Sequence, residues 1–195
     1  MKTLEGAPMT ADATTERVGS ALRIAPGFIA THVNDETQVQ TTIEARYVRA
    51  QGRYVVHAAG VRTLSDAVEA NGDTLRQINV QRIVQAAAPQ CIALTLSDEP
   101  AAEWLTVSDI SSVEGRLIPR WMAEQAVKRG RSNDARMDVV EIVYGAAALS
   151  ASAPIKAVAR ELNVPHRTAA VWVSRARDEG RLEGMSYIVG RQADG

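Results

Sequence analysis

The stretch Ile155–Arg177, IKAVARELNVPHRTAAVWVSRAR, decides how this chain is read. Ile155, Val158, Ala159 and Leu162 recur at i, i+3, i+4 and i+7, the spacing of one buried helical face. Pro154 suits a first helical position, where its missing N–H has no partner to lose. Ser152 or Ala153 precedes it as the N-cap, a place serine fills better than alanine. Asn163 then stands where a helix ends in the left-handed conformation, which Asn tolerates best after glycine. Val164 tucks into the corner, and a second helix begins at Pro165 with Ala169, Trp172, Val173 and Ala176 on its buried face. The pattern predicts two short helices joined by a tight turn, crossing closely at the small Ala159.

At about 100° per residue, Arg167, Val171 and Ser174 point furthest from the second buried stripe. Ala170, Arg175 and Arg177 flank them, and His166 and Thr168 sit at the exposed start. Such a face suits a DNA duplex. Arginine donates two hydrogen bonds to guanine, and valine packs on a thymine methyl. Thr168, Arg175 and Arg177 are better placed for phosphates, which position a protein without reading sequence. The competing reading is an ordinary core hairpin with a solvated arginine face.

The stretch resembles the helix-turn-helix of bacterial and phage regulators and of resolvase-type recombinases. That pattern has a small residue, then L-G-V, a polar cap, a threonine, and a W-V pair ahead of basic residues. Here it runs Ala159, Leu162-Asn163-Val164, Pro165, Thr168 and Trp172-Val173. Asn163 stands in place of the glycine and Pro165 in place of the serine cap. The resemblance covers about a quarter of the chain. It implies DNA binding through His166, Arg167, Thr168, Ala170, Val171, Ser174, Arg175 and Arg177, and it does not imply recombinase chemistry.

Two helices cannot bury their own apolar faces, so a third must close the core. Asp134–Leu149, DARMDVVEIVYGAAAL, supplies it, with Met137, Val140, Val143 or Tyr144, and Ala147 as its buried stripe and Asn133 or Asp134 as its cap. Before it, Glu114–Arg129 reads as a connecting helix with Pro119 in its first turn and Trp121 as a packing anchor. Lys128-Arg129-Gly130-Arg131 reads as a basic hinge. The acidic, proline-interrupted segment Asp98–Ser112 marks a boundary.

Nearer the amino terminus, Gln38–Ala50 alternates with period two and predicts a half-buried strand. Gln51-Gly52 is a turn signal, and Arg53–Leu64 reads as the antiparallel partner, with Gly60 marking a bulge. ALRIAPGFIATHVNDE suggests a strand on each side of Pro26-Gly27. Thr74–Ala88 predicts a helix over its second half, stopped before Pro89, and CIALTL one more strand. The expected fold is α+β: a small amino-terminal antiparallel sheet domain with one helix, plus a carboxyl-terminal three-helix helix-turn-helix domain. The corresponding boundaries are a disordered tail over 1–27, an α+β domain over 28–97, a linker and connecting helix over 98–130, the helical domain over 131–184, and a tail over 185–195.

Composition narrows the function classes. At 195 residues one or two domains are expected. Aromatics make up only 4%, so the core rests on Val, Ile, Leu and Ala. The formal net charge of -1 means that any nucleic-acid contact must come from locally placed arginines. The only lysines are Lys2, Lys128 and Lys156, and the Arg, Ala and Val bias suits a GC-rich bacterial genome. The single cysteine, Cys91, excludes an intrachain disulfide framework and reads as a small buried hydrophobe. No apolar run reaches the ~18 residues of a membrane span, and the amino terminus lacks a signal-peptide core, so a cytoplasmic protein is expected. His32, His57 and His166 are scattered, no catalytic grouping stands out, and no metal or cofactor is called for. The sequence points to a DNA-binding transcriptional regulator, not an enzyme, acting as a homodimer on double-stranded DNA. A protein–protein adaptor and an accessory factor in recombination or replication remain as alternatives.

Overall fold

A computed structural model describes residues 1–95, 102–128 and 133–187. The chain enters the fold at once. Strands β1 (Glu16–Val18) and β2 (Leu22–Ile24) form a hairpin that buries Val18, Leu22 and Ile24. Lys2 exchanges two backbone hydrogen bonds with Ile29, at 3.0 and 2.9 Å. The expected disordered tail over 1–27 is therefore corrected. Its strands are three residues long, too short for alternation to show as a period.

Strands β3 (Gly27–Asn34), β4 (Val39–Val48) and β5 (Arg53–Thr63) make an antiparallel sheet in that order. β4 buries Val39, Thr41, Ile43, Ala45 and Tyr47 on one face, the outcome its period of two predicts. Gly52, at φ +58°, closes the turn into β5. Strands do flank Pro26, but they belong to different sheets, so the chain crosses between layers there. Tyr54 pins the crossover: its hydroxyl donates to the Ala25 carbonyl at 2.8 Å, and its ring meets Phe28 edge-on at 5.1 Å. The bulge is at His57, not Gly60, because Glu44 pairs with Ala58 and Ala45 with Val56. There β5 leaves the core and becomes exposed, so an extra residue sacrifices no packing.

Two short helices follow. α1 (Gly72–Arg76) starts from a capping box at Asn71, and α2 (Val80–Ala87) from Asn79, whose side chain accepts from the Arg82 N–H at 3.0 Å. α2 packs Val84 and Ala87 inward and lies on β3 and β4. Strand β6 (Ile92–Leu94) pairs with β2, and β7 (Leu105–Thr106) pairs with β6, completing a second antiparallel sheet in the order β1-β2-β6-β7. Cys91, just before β6, is fully buried, and burial pushes its thiol well up, which leaves it unreactive.

The connecting region departs from expectation. α3 (Val107–Glu114) is capped by Thr106 and ends at Gly115 in the left-handed conformation, at φ +64°. α4 (Arg120–Val127) begins only after Pro119, which is its N-cap. A single helix over Glu114–Arg129 is thus broken by Gly115 and by the extended backbone around Pro119. Trp121, expected as a packing anchor, is 55% exposed. The expected hinge residues Arg129, Gly130 and Arg131, and the acidic Asp98 and Glu99 beside Pro100, lie outside the described residues.

α5 (Asn133–Leu149) buries twelve of its seventeen residues, on every side. It packs on β2, β5 and β6 on one flank and on α4, α6 (Pro154–Glu161) and α7 (His166–Asp178) on the other. Apolar residues on all faces mark a helix enclosed by structure. Gly145 removes a Cβ that would collide with the Leu22 and Met185 side chains. The segment 184–187 docks on the sheet: Tyr47 Oη donates to the Gly184 carbonyl at 2.7 Å, and the Ser186 N–H to the Gly52 carbonyl at 2.9 Å. Among the described residues no helix is long and apolar enough to cross a membrane.

Buried hydroxyls and the buried thiol make stability sensitive to alkali. Burial raises Tyr54 and Tyr47 above the ordinary 10.0 and Cys91 above the ordinary 9.0. A raised folded-state value binds the proton more tightly in the native state. The stabilisation is fully present below the unfolded-state values and is lost as pH rises through the folded-state ones. The urea midpoint is expected to fall as pH rises beyond about 9–10, with a shallower fall in Tyr54→Phe. A midpoint that stays level up to pH about 11 refutes this.

Candidate nucleic-acid interface

The turn between α6 and α7 sets the geometry of the site. Asn163 adopts φ +50°. The Val164 N–H donates to the Ala159 carbonyl at 3.0 Å and the Asn163 N–H to the Arg160 carbonyl at 3.3 Å. These are the paired bonds of a Schellman motif, and they absorb the open carbonyls of α6. Ala153 is the N-cap of α6 and Pro154 its first residue. α7 starts one residue later than expected, with Pro165 as its cap and no side chain accepting from its first turn. The backbone N–H groups of Arg167 and Thr168 therefore lack the side-chain acceptor a serine would supply.

α7 turns Ala169, Val173 and Ala176 into the core, with Trp172 half-buried beside them. Arg136 stacks on the Trp172 ring at 4.9 Å while its Nε donates to the Ala126 carbonyl at 2.7 Å, tying α4, α5 and α7 together. The opposite side holds the residues singled out by sequence. His166, Arg167, Val171, Ser174, Arg175 and Arg177 are exposed, and Thr168 and Ala170 are half-exposed. Val171 is 60% exposed, unusual for a valine in mid-helix. His166, Arg167 and Ser174 have no side-chain hydrogen bond or ion pair among the described residues. Arg175 pairs with Glu179 at 2.9 Å and Arg177 donates to Tyr144 Oη at 3.3 Å. An exposed i,i+4 pair is worth only about 0.3–0.5 kcal/mol, so a phosphate can displace Glu179.

Two buried carboxylates hold this unit in place. Glu141 accepts hydrogen bonds from the backbone and the hydroxyl of Ser20, in the β1–β2 turn, and lies 3.8 Å from Arg181. Arg181 also pairs with Asp138 at 2.5 Å, Glu179 at 3.3 Å and Asp134 at 3.5 Å, and it is thereby committed to structure. Glu161, at the end of α6, accepts from the Leu117 N–H at 3.1 Å, and Arg116 donates to its carbonyl. Sequence reasoning missed both, because a lone glutamate in a helix gives no sign of burial. It also missed Lys156 and Arg160, which lie one turn apart on the exposed side of α6. Their signal was their place opposite the apolar stripe.

Among the described residues no group of three or more His, Cys, Asp or Glu side chains is placed to hold a metal ion. His32 and His57 lie on the exposed sheet, away from α7. Comparison of the chain with family models, curated proteins and solved structures yields no match.

The two turns that frame α6 differ in strain. Ala151, at the end of α5, sits at φ +53° in the same hydrogen-bonded motif as Asn163. A left-handed alanine costs about 1–2 kcal/mol, offset in part by glycine's unfolded-state entropy. Ala151→Gly is expected to stabilise the fold by about 0.5–1 kcal/mol, whereas Asn163→Val lowers stability by about 1–2 kcal/mol. Chemical denaturation of both variants checks the pair. A neutral Asn163→Val change would remove the turn from this account.

Proposed function

We propose that the chain binds double-stranded DNA through α6, its turn and α7, arranged as a helix-turn-helix with α5 as the third helix, and that it is a prokaryotic or phage transcriptional regulator. The observation that carries this reading is the outward face of α7. Arg167 lies one turn from a highly exposed Val171, and among the described residues neither is covered. A guanidinium and a methyl-bearing side chain at that spacing match a guanine and a nearby thymine along a major groove. The uncapped first turn of α7 offers backbone donors to a phosphate. Lys156 and Arg160 on α6 supply charge where the first helix of such a pair crosses the backbone. Arg175 and Arg177 add two more contacts beyond the base-reading residues.

One unit supplies few phosphate contacts, so affinity for a single site is weak and falls steeply with salt. Two copies on half-sites about one helical turn apart give useful affinity. A selection from random duplexes with the full chain is expected to enrich a palindrome. On that duplex, Arg167→Ala costs about 1–3 kcal/mol and relaxes preference at one base position. Lys156→Ala and Arg160→Ala weaken all sequences alike and each lower the salt slope by about 1. If a gel shift shows the Arg167→Ala, Arg175→Ala double variant binding as tightly as the parent, the protein–protein adaptor reading replaces this one.

A further inference from the structure

We infer that the cleft between the outer part of the β3–β4 hairpin and the α1–α2 pair binds a small organic anion with an apolar body. The cleft measures about 580 Å³, within the range of about 300–1,000 Å³ typical of small-molecule sites. Its sheet wall is set by register: His32 lies opposite Thr41 and Asn34 opposite Val39, which puts these four side chains on the face toward α2. The opposite wall is formed by Ile78, between α1 and α2, and by Arg82, Ile83 and Ala86 of α2. Ala30 and Val39 of the sheet thus face Ile78, Ile83 and Ala86 across the opening, and polar side chains, His32, Asn34 and Thr41 among them, surround this apolar strip.

The charge of the lining selects the ligand. Among the described residues no Asp or Glu lines the cleft. Arg82 does, and its guanidinium has no hydrogen-bond or ion-pair partner among the described residues, since only its backbone N–H is engaged, by Asn79. Arginine presents a planar donor fork that fits a carboxylate with two hydrogen bonds. An amine in the same place would meet a cation with no counter-charge. A carboxylate on an aliphatic or aromatic body satisfies both the guanidinium and the apolar walls.

The same helix touches the turn that precedes α6. Gln85 Nε2 donates to the Ala151 carbonyl at 2.9 Å, in the turn between α5 and α6. A ligand that favours one position of α2 acts through this bond on the helical unit, provided its affinity differs between the two positions. This second step rests on the DNA-binding reading, and the first does not.

Calorimetry on the full chain with octanoate and octylamine tests the site. Octanoate is expected to bind at least about tenfold more tightly than octylamine. Arg82→Ala, at an exposed position, and Ala86→Phe, which fills the cleft, each weaken octanoate by about tenfold or more. Equal affinity for the two probes, octanoate binding that survives both variants, or no octanoate binding by about 1 mM overturns the site. On the selected duplex, octanoate is expected to change DNA affinity by about fivefold or more. Gln85→Ala removes that change while leaving octanoate affinity within about twofold. Octanoate binding without any change in DNA affinity overturns the coupling alone. A chain that binds no DNA sinks the earlier reading, and calorimetry still decides the cleft.

Discussion

From Val139 onward helix α5 has no solvent face, and that constraint organises the molecule. Twelve of its residues are buried, Glu141 among them. A carboxylate taken out of water must find donors, because the lost hydration is worth several kcal/mol. Glu141 finds them in Ser20, from the first hairpin, with Arg181 nearby from beyond α7. The carboxylate therefore fixes where the amino-terminal sheet and the helical unit each meet the central helix. Apolar packing alone would leave that register looser, since dispersion and burial have little directional preference.

The same helix joins the regions that sequence treats as separate. A continuous apolar core runs from Val18 through Ile92 and Val140 to Val173 and Met185. β2 and β6 lie on one side of α5, and α6 and α7 on the other. Tyr54 and Tyr47 extend the connection with hydrogen bonds to Ala25 and Gly184, points where the chain changes direction. The core fixes which side of α7 turns inward, through Ala169, Val173 and Ala176, and so which side faces out. The proposed reading of that side thus depends on α5 as much as on the arginines themselves.

Local signals were legible wherever one element decides its own conformation. The period of two placed β4, and the i, i+3, i+4, i+7 stripes placed α6 and α7. Asn163 announced a left-handed turn, and Pro89 announced the end of α2. The exposed residues His166, Arg167, Val171 and Ser174 followed from helical geometry alone. Signals failed where two local preferences competed. Over Glu114–Arg129 the apolar spacing suggested one helix, but Gly115 and Pro119 interrupt it, and Trp121 faces outward. In the first 27 residues only the apolar run before Pro26 suggested a strand, and its partner β1 is too short to carry a period.

The sequence by itself determined the α+β character, the positions of the longer strands, and which side of α7 is polar, because these depend on contacts within a few residues. Tertiary structure alone decided that Leu22–Ile24 pairs with Ile92–Leu94, that Glu141 and Glu161 are buried, that the carboxyl-terminal segment lies on Gly52, and that a cleft opens beside Arg82. Those features join residues far apart in the chain. Their energies arise only when distant surfaces exclude water together, and no short window of sequence records that event.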